Sequence, residues 1–154
     1  SKGISRMVSF DVFNEMCIGK ITDYKIPFLP EQVKNDVLDG YMKVAMSRFN
    51  KVCEYDLVGS LDFTTRRLTI DIPEDDLLEI ADIISEGMVV QWCQPFVYNR
   101  EILQLVLNSS DFTTYSPNEL IKQVNNVYAT AKNNFKSMKN KYSFEHGDLT
   151  DLHM

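Results

Sequence analysis

Residues 72–95 read IPEDDLLEIADIISEGMVVQWCQP, and this stretch decides the fold. Its apolar residues recur three and four positions apart, which is the period of an α-helix, and toward the end nearly the whole circumference is apolar. Pro73 suits a first helical turn, and the acids Glu74, Asp75 and Asp76 place negative charge at the positive end of the helix dipole. We expect Pro95 to stop the helix, because its ring removes a backbone donor. The pattern predicts a central helix over 73–95 against which the other helices pack.

The segments on either side predict further helices and one β-hairpin. Apolar residues keep the helical period over about 9–22, 31–53, 100–108 and 117–142, and the last of these begins with the capping pattern Ser116-Pro117-Asn118-Glu119. Between 57 and 72 the pattern alternates, which predicts a hairpin with its turn at 64–66. The predicted fold is therefore mainly α, with about five helices around a central buried helix, one short β-hairpin, an extended N-terminal strap at 23–30 and a C-terminal arm at 143–154. We expect a single domain over 1–154.

Gly40 lies inside the second predicted helix. A glycine in a helix interior costs about 1 kcal/mol relative to alanine. We therefore expect a neighbouring element to pack closely at this position.

Composition excludes some classes of function. The chain has 154 residues, of which 44% are hydrophobic, so one domain can bury a sizeable core. A net charge of -6 argues against an affinity for nucleic acid based on general positive charge. No apolar run approaches the roughly 20 residues that span a bilayer, and we expect no membrane contact. The cysteines Cys17, Cys53 and Cys93 have no CxxC spacing and lie in apolar stripes, which predicts reduced, buried thiols.

The sequence offers few candidates for catalysis. Trp92, Cys93 and the aromatic residues Phe96 and Tyr98 could line a ligand pocket, but at helical spacing they are more typical of a core. A nucleophilic Cys93 would need a base, and both histidines, His146 and His153, fall in the predicted arm, where a general base is poorly positioned. No nucleotide-binding or hydrolase motif is present. We predict no catalytic residue and no cofactor.

The C-terminal arm also contains residue types that bind metals, namely Glu145, His146, Asp148, Asp151 and His153. Their spacing matches no known metal-binding motif. This favours a solvated acidic tail over a metal site.

Charge is distributed unevenly along the chain. Residues 54–86 contain ten acids and two arginines, a net of -8, whereas residues 117–142 contain one acid and five lysines, a net of +4. One interpretation is a molecule with two solvated faces. The other is head-to-tail self-association, in which the acidic region of one copy contacts the lysine helix of the next. In that case the interface would contain Asp75, Asp76 and Glu79 on one side and Lys132 and Lys136 on the other.

Four stretches of the sequence form a recognisable series: CEYDL at 53–57, GMVVQWCQP at 87–95, NSSDFTTYSPNEL at 108–120, and KYSF with DLTDL between 141 and 152. In this order they resemble a family of small head–tail adaptor proteins (connector or head-completion proteins) of tailed bacteriophages. The chain departs from the family pattern at Gly87, where a larger apolar residue is expected, and in its short tail. The resemblance implies a non-enzymatic structural protein of the virion neck, which assembles in the host cytoplasm. It also implies a dodecameric ring between the portal protein and a tail-side neck or tail terminator protein.

Such a ring would extend the channel through which double-stranded DNA passes without sequence specificity. An acidic lumen repels phosphates, so we expect either the hairpin, with Asp62 and Asp71, or the acidic start of the central helix to face the channel. Arg66 and Arg67 at the hairpin turn are then expected to face the channel too and to make transient phosphate contacts. Phe144, Leu149 and Leu152 in the arm are expected to dock on the portal or on a neighbouring subunit. The alternative function is a small regulatory or partner-sequestering module that acts through the hairpin edge or the acidic face.

Overall fold

The computed structural model of the chain describes residues 7–24, 35–99, 101 and 117–147. This part is mainly helical, as predicted, and carries a small sheet. Its elements in chain order are β1 (Met7–Ser9), α1 (Phe10–Asp23), α2 (Asn35–Phe49), a 3-10 turn (Val58–Ser60), β2 (Leu61–Asp62), β3 (Arg67–Asp71), α3 (Glu74–Tyr98) and α4 (Pro117–His146). Most of the predicted strap, the predicted helix at 100–108 except Glu101, and residues 148–154 of the arm lie outside the described residues.

Helix α3 is the centre of the structure. It packs against α1, α2 and α4, and every residue from Ile83 to Val90 is buried. This agrees with the apolar pattern, which covers nearly the whole circumference in the second half of the helix. The first half is different, because Glu74 and Asp75 are exposed.

The prediction that Pro95 ends the central helix is wrong. Helix α3 continues through Pro95 to Tyr98, and the backbone amide of Asn99 donates to the Pro95 carbonyl at 3.0 Å. Contacts of this last turn explain the difference. The ring of Phe96 packs edge-to-face on Trp92, with 5.5 Å between centroids, and the Tyr98 hydroxyl lies 3.2 Å from that of Tyr128 on α4.

Helix α2 ends four residues earlier than predicted, at Phe49. The next residue, Asn50, uses its side-chain oxygen to accept hydrogen bonds from the backbone amides of Leu57 (2.8 Å) and Val58 (3.3 Å). Its side-chain nitrogen donates to Asp56. An asparagine that satisfies backbone amides outside the helix favours a turn, so the chain leaves the helix here.

The predicted boundary between the last helix and the arm is also wrong, because α4 runs through residues 143–146 to His146. Tyr142 is almost fully buried, its ring lies 4.9 Å from that of Phe49, and it stacks on His146 at 4.1 Å. These contacts hold the last turn of the helix. The apolar period fades after Tyr142 since the remaining residues of that turn are largely polar.

Gly87 marks the closest approach of the helices. A Cβ atom built on it would lie 2.8 Å from the Phe135 ring of α4 and 2.9 Å from the Ala45 Cβ of α2. There is no room for the larger apolar side chain that the family pattern leads one to expect. The expectation for Gly40 finds no support among the described residues: apart from the chain neighbours and the backbone of its own helix, none of their atoms lies within 4 Å of its Cβ position.

The predicted hairpin is present, and a third strand joins it. Strand β3 pairs antiparallel with β2 on one side and with β1 on the other. The turn is organised by Asp62, whose carboxylate accepts hydrogen bonds from the backbone amides of Thr64 and Thr65. Arg66 completes the turn with a φ of 54°, in the left-handed region. Two strands alone are marginal in water, and β1 supplies the missing neighbour from within the chain.

One ion-pair network fastens this sheet to the helices. The Arg66 guanidinium makes two 2.8 Å hydrogen bonds to the Asp39 carboxylate of α2 and one 3.0 Å contact to Asp11 of α1. Asn14 also donates to Asp39 at 2.8 Å. Burial by itself raises the pKa of the Asp39 carboxyl, but the hydrogen bonds from Arg66 and Asn14 outweigh burial and hold that pKa below its ordinary value.

Replacing Gly87 with leucine is expected to destabilise the protein. The side chain would force Phe135 and Ala45 apart, and overpacking of this kind costs about 1–3 kcal/mol in the free energy of unfolding. Urea unfolding followed by circular dichroism measures this cost. Gly19→Ala is the matched control, because Gly19 has open space around its Cβ position and alanine favours a helix, so this variant should be as stable as the wild type or more stable. Equal stability of Gly87→Leu and the wild type would contradict the close approach.

Asp39→Asn is expected to lower stability in a pH-dependent way. Because the folded-state pKa of Asp39 is depressed, its charge contributes stability above the unfolded pKa, and this contribution is lost as pH falls through the folded pKa. Near neutral pH the variant should lose about 2–3 kcal/mol. The difference from the wild type should shrink below about pH 4. Urea unfolding over a pH series tests this, and a difference that stays constant with pH would show that the charge of Asp39 is not responsible.

Candidate functional site

A groove of about 700 Å³ lies between α2, the C-terminal half of α3 and the middle of α4. We call it the basic groove, because four cationic side chains and no carboxylate line it. Arg48 comes from α2, and Lys132, Lys136 and Lys139 come from α4 at spacings of four and three, so they share one face of that helix. The other lining residues are Val90, Gln94, Tyr98, Tyr128, Asn133, Phe135 and Asn140.

The cations of the groove contact aromatic rings. The Lys139 ammonium lies 4.3 Å from the centroid of Phe135, and Lys132 lies 5.7 Å from that of Tyr128. Burial, and then the nearby charge of Arg48, lower the pKa of Lys139. Within the described residues none of the four cations pairs with a carboxylate. The groove therefore has unneutralised positive charge and fits an anionic partner.

The opposite end of α3 presents a surface of the other sign. We call Glu74, Asp75 and the 54% exposed Leu78 the acidic face. The two carboxylates have no ion-pair partner among the described residues. At 1.5 Å per residue, Asp75 and Gln94 are separated by about 28 Å along the helix. The acidic face and the basic groove thus lie at opposite ends of one rigid element.

The other predicted interface acids have partners within the chain. The Tyr55 hydroxyl donates to the Asp76 carboxylate at 2.7 Å. Glu79 contacts Nε2 of His146 at 2.8 Å, and Nδ1 of the same ring lies 3.1 Å from Glu54. Burial lowers the pKa of His146, but the hydrogen bonds to Glu54 and Glu79 outweigh it and raise that pKa overall. Asp76 and Glu79 are therefore less available to another subunit than Glu74 and Asp75.

The four residues predicted to face a channel lie together on the sheet. Asp71 and Arg67 are exposed on β3, and Arg67 also donates to the Met7 carbonyl at 3.0 Å. Asp62 is half-buried and holds the turn. Arg66 is engaged by Asp39 and Asp11, so of the two hairpin arginines Arg67 has the guanidinium that is exposed enough to meet a phosphate. The role of these residues in a channel stays a prediction.

Of the four residues considered for a ligand pocket, two belong to the core. Trp92 and Cys93 are buried, and burial raises the pKa of the Cys93 thiol to about 12, which makes a thiolate nucleophile unfavourable near neutral pH. Cys17 is also buried, Cys53 is half-buried, and all three thiols are free. Tyr98 differs from the prediction, because it is 69% exposed and lines the basic groove.

Of the predicted docking residues, only Phe144 lies in the described part of the chain. It projects from the last turn of α4 and is 74% exposed. Leu149 and Leu152 lie outside the described residues, as do Asp148, Asp151 and His153. The docking role of all three apolar residues stays a prediction.

Sequence reasoning missed two parts of this site. Arg48 and Lys139 were not among the predicted interface residues, although the spacing of Lys139 from Lys136 and Lys132 places all three on one helical face. Glu54 was counted only as one acid among ten. Its contact with His146 joins residues 92 positions apart, and no local pattern predicts such a contact.

Comparison with protein-family models, with curated proteins and with solved structures finds no match. None of the helices in the described ranges is both long enough and apolar enough to cross a membrane.

The titration of Lys139 tests the electrostatics of the groove. Its pKa is expected to lie below the ordinary value of 10.5, because burial and Arg48 disfavour the charged form. Reductive methylation with a carbon-13 label followed by an NMR pH titration measures the midpoint. Arg48→Gln should raise the midpoint part of the way, because burial is retained. A wild-type midpoint at or above 10.5 would contradict the arrangement.

Proposed function

We propose that the protein is a non-enzymatic structural subunit of a tailed-phage neck. In this proposal copies of the chain form a ring, dodecameric by the family resemblance, between the portal protein and a tail-side neck or tail terminator protein. The ring extends the channel for passing DNA and belongs to the virion after assembly in the host cytoplasm. The single observation that supports it best is the pair of oppositely charged, unpartnered surfaces at the two ends of α3.

The position of these surfaces favours a head-to-tail contact. One contact between the acidic face of one copy and the basic groove of the next leaves a free face and a free groove on the pair. Further copies can add to both, and the assembly closes if the rotation between subunits allows it. Leu78 would give the contact an apolar centre, since exposed charge pairs alone contribute little.

The roles of the hairpin and of the arm within this ring are proposals of the same kind. Asp62 and Asp71 would give the channel wall negative charge, and Arg67 would make brief phosphate contacts. Phe144, with Leu149 and Leu152 beyond the described helix, would anchor the subunit to the portal or to a neighbour.

The alternative function, a partner-sequestering module, has less support. Its hairpin-edge form requires an open strand edge for β-augmentation. On the described sheet β1 and β2 cover both edges of β3, and the outer edges belong to strands of three and two residues. A partner could still bind the acidic face, and the experiment below separates that outcome from a ring.

Charge reversal at the two surfaces tests the proposed contact. Lys132→Glu with Lys136→Glu, or Glu74→Lys with Asp75→Lys, should abolish assembly on portal-containing capsids and leave the monomer folded. A mixture of the two double variants should assemble again, because the acidic groove of one variant can then contact the basic face of the other. The two variants must alternate around the ring, so the mixture can form only rings with an even number of subunits. Native mass spectrometry distinguishes such a ring from a dimer.

The matched control is Lys51→Glu with Lys122→Glu. It changes the net charge by the same amount as the Lys132→Glu and Lys136→Glu double variant. Both lysines of the control are exposed and lie outside the groove. The control should assemble like the wild type at moderate salt. If either interface variant assembles normally, or if the mixture does not recover, the head-to-tail contact is wrong.

A further inference from the structure

A cluster of metal-ligating side chains lies where the C-terminal end of α4 meets the first half of α3. One ligand atom each from Glu79, Glu145 and His146 lies within 4.8 Å of the others. We propose that these three side chains bind a divalent transition-metal ion, and that Zn²⁺ is its representative. The proposal concerns contacts within one chain and does not rest on the proposed function in a phage neck.

The geometry of the cluster is close to what zinc needs. Nε2 of His146 and Oε1 of Glu79 are 2.8 Å apart. Two ligand atoms of a tetrahedral zinc ion are separated by about 3.4 Å, given bond lengths of about 2.0–2.2 Å. The two side chains therefore need to separate by only about half an ångström. Glu145 supplies the third ligand and adjoins His146 in the last turn of α4.

The second observation is the orientation of the histidine ring. Nδ1 of His146 lies 3.1 Å from the Glu54 carboxylate, on the side of the ring away from Glu79. A metal-binding histidine usually donates its other N–H to a carboxylate or carbonyl, which fixes the tautomer that leaves the ligating nitrogen free. The stacked Tyr142 ring, at 4.1 Å, holds the imidazole plane. Glu54 and Tyr142 thus orient the ligand without touching the ion.

The charge of the cluster favours a cation. Three carboxylates surround one imidazole, and among the described residues the one lysine that forms an ion pair with any of them is Lys141, 4.0 Å from Glu145. In the metal-free protein Nε2 of His146 and the Glu79 carboxylate share one hydrogen bond, and therefore one proton lies between them. A metal ion would take the place of this proton and carry more positive charge.

The ligand set distinguishes between classes of ion. Imidazole nitrogen suits zinc and its neighbours in the first transition series, whereas Mg²⁺ prefers oxygen ligands and keeps most of its water. Three protein ligands leave a fourth tetrahedral position for water. Bound zinc would cross-link two helices through residues 67 positions apart, so binding should stabilise the folded state.

Isothermal titration of the intact chain with zinc chloride at neutral pH tests the site. The wild type should bind one Zn²⁺ per chain, show no comparable response to Mg²⁺, and melt at a higher temperature with zinc present. His146→Gln and Glu79→Gln should each lose binding over the range that saturates the wild type. Glu54→Gln should weaken binding by about 10–100-fold, because it removes only the orienting carboxylate. Glu15→Gln, at an exposed glutamate outside the cluster, should bind like the wild type.

Two further measurements control for misfolding of the variants and for zinc binding by the cysteines. Circular dichroism confirms that each variant is folded, and if His146→Gln is not, Glu79→Gln decides the question. Cobalt(II) substitution should give an absorption spectrum without a thiolate-to-metal charge-transfer band, which excludes the three cysteines as ligands. The proposal is overturned if the wild type binds no zinc, if Glu79→Gln binds it with unchanged affinity, or if the thiolate band appears. Unchanged affinity in Glu54→Gln would overturn the orienting role of that carboxylate.

Discussion

The absence of a side chain at Gly87 lets three helices meet at one point, and much of the structure depends on that contact. Phe135 and Ala45 occupy the space that a Cβ atom would need. With α2 and α4 held this close, the middle of α3, from Ile83 to Val90, is enclosed on all sides. The acidic first half then extends beyond the enclosed region. The separation of a buried middle from a charged start follows from this single close approach.

The helix dipole of α3 also favours the observed placement of charges at its two ends. Carboxylates at the start of a helix and cations near its end both interact favourably with the dipole, by about 0.3–1 kcal/mol each at exposed positions. Glu74 and Asp75 occupy the start of α3, and Arg48 with the α4 lysines lies beside its last turns. The charges that stabilise α3 therefore also form the two exposed surfaces. A contact between copies would use charges already placed by folding within one chain.

The sequence predicts the elements that depend on the local spacing of apolar and charged residues. It does not predict features that depend on contacts between residues far apart in the chain. The central helix, the hairpin and the lysine face of α4 all follow from patterns of spacing. The end of α3 does not, because Phe96 and Tyr98 carry the helix past Pro95 by packing on other rings. The two glycines show the same limit. The cost of a helical glycine is visible at both positions, but only the structure shows that Phe135 and Ala45 crowd Gly87, whereas no neighbouring element among the described residues crowds Gly40.

Position 66 must satisfy two requirements, one on the backbone conformation and one on the side chain. Its backbone has a φ of 54°, which costs an ordinary side chain about 1–3 kcal/mol and which glycine adopts freely. Its guanidinium meets Asp39 through two hydrogen bonds, a geometry that lysine cannot reproduce. Glycine would relieve the backbone strain at position 66 but leave Asp39 as a buried charge without a cationic partner. Any other residue would keep the backbone strain and also lose the two hydrogen bonds from the guanidinium. Among the twenty amino acids this position has almost no acceptable replacement, so in a population of randomly mutated chains that retain the fold it should be among the least variable.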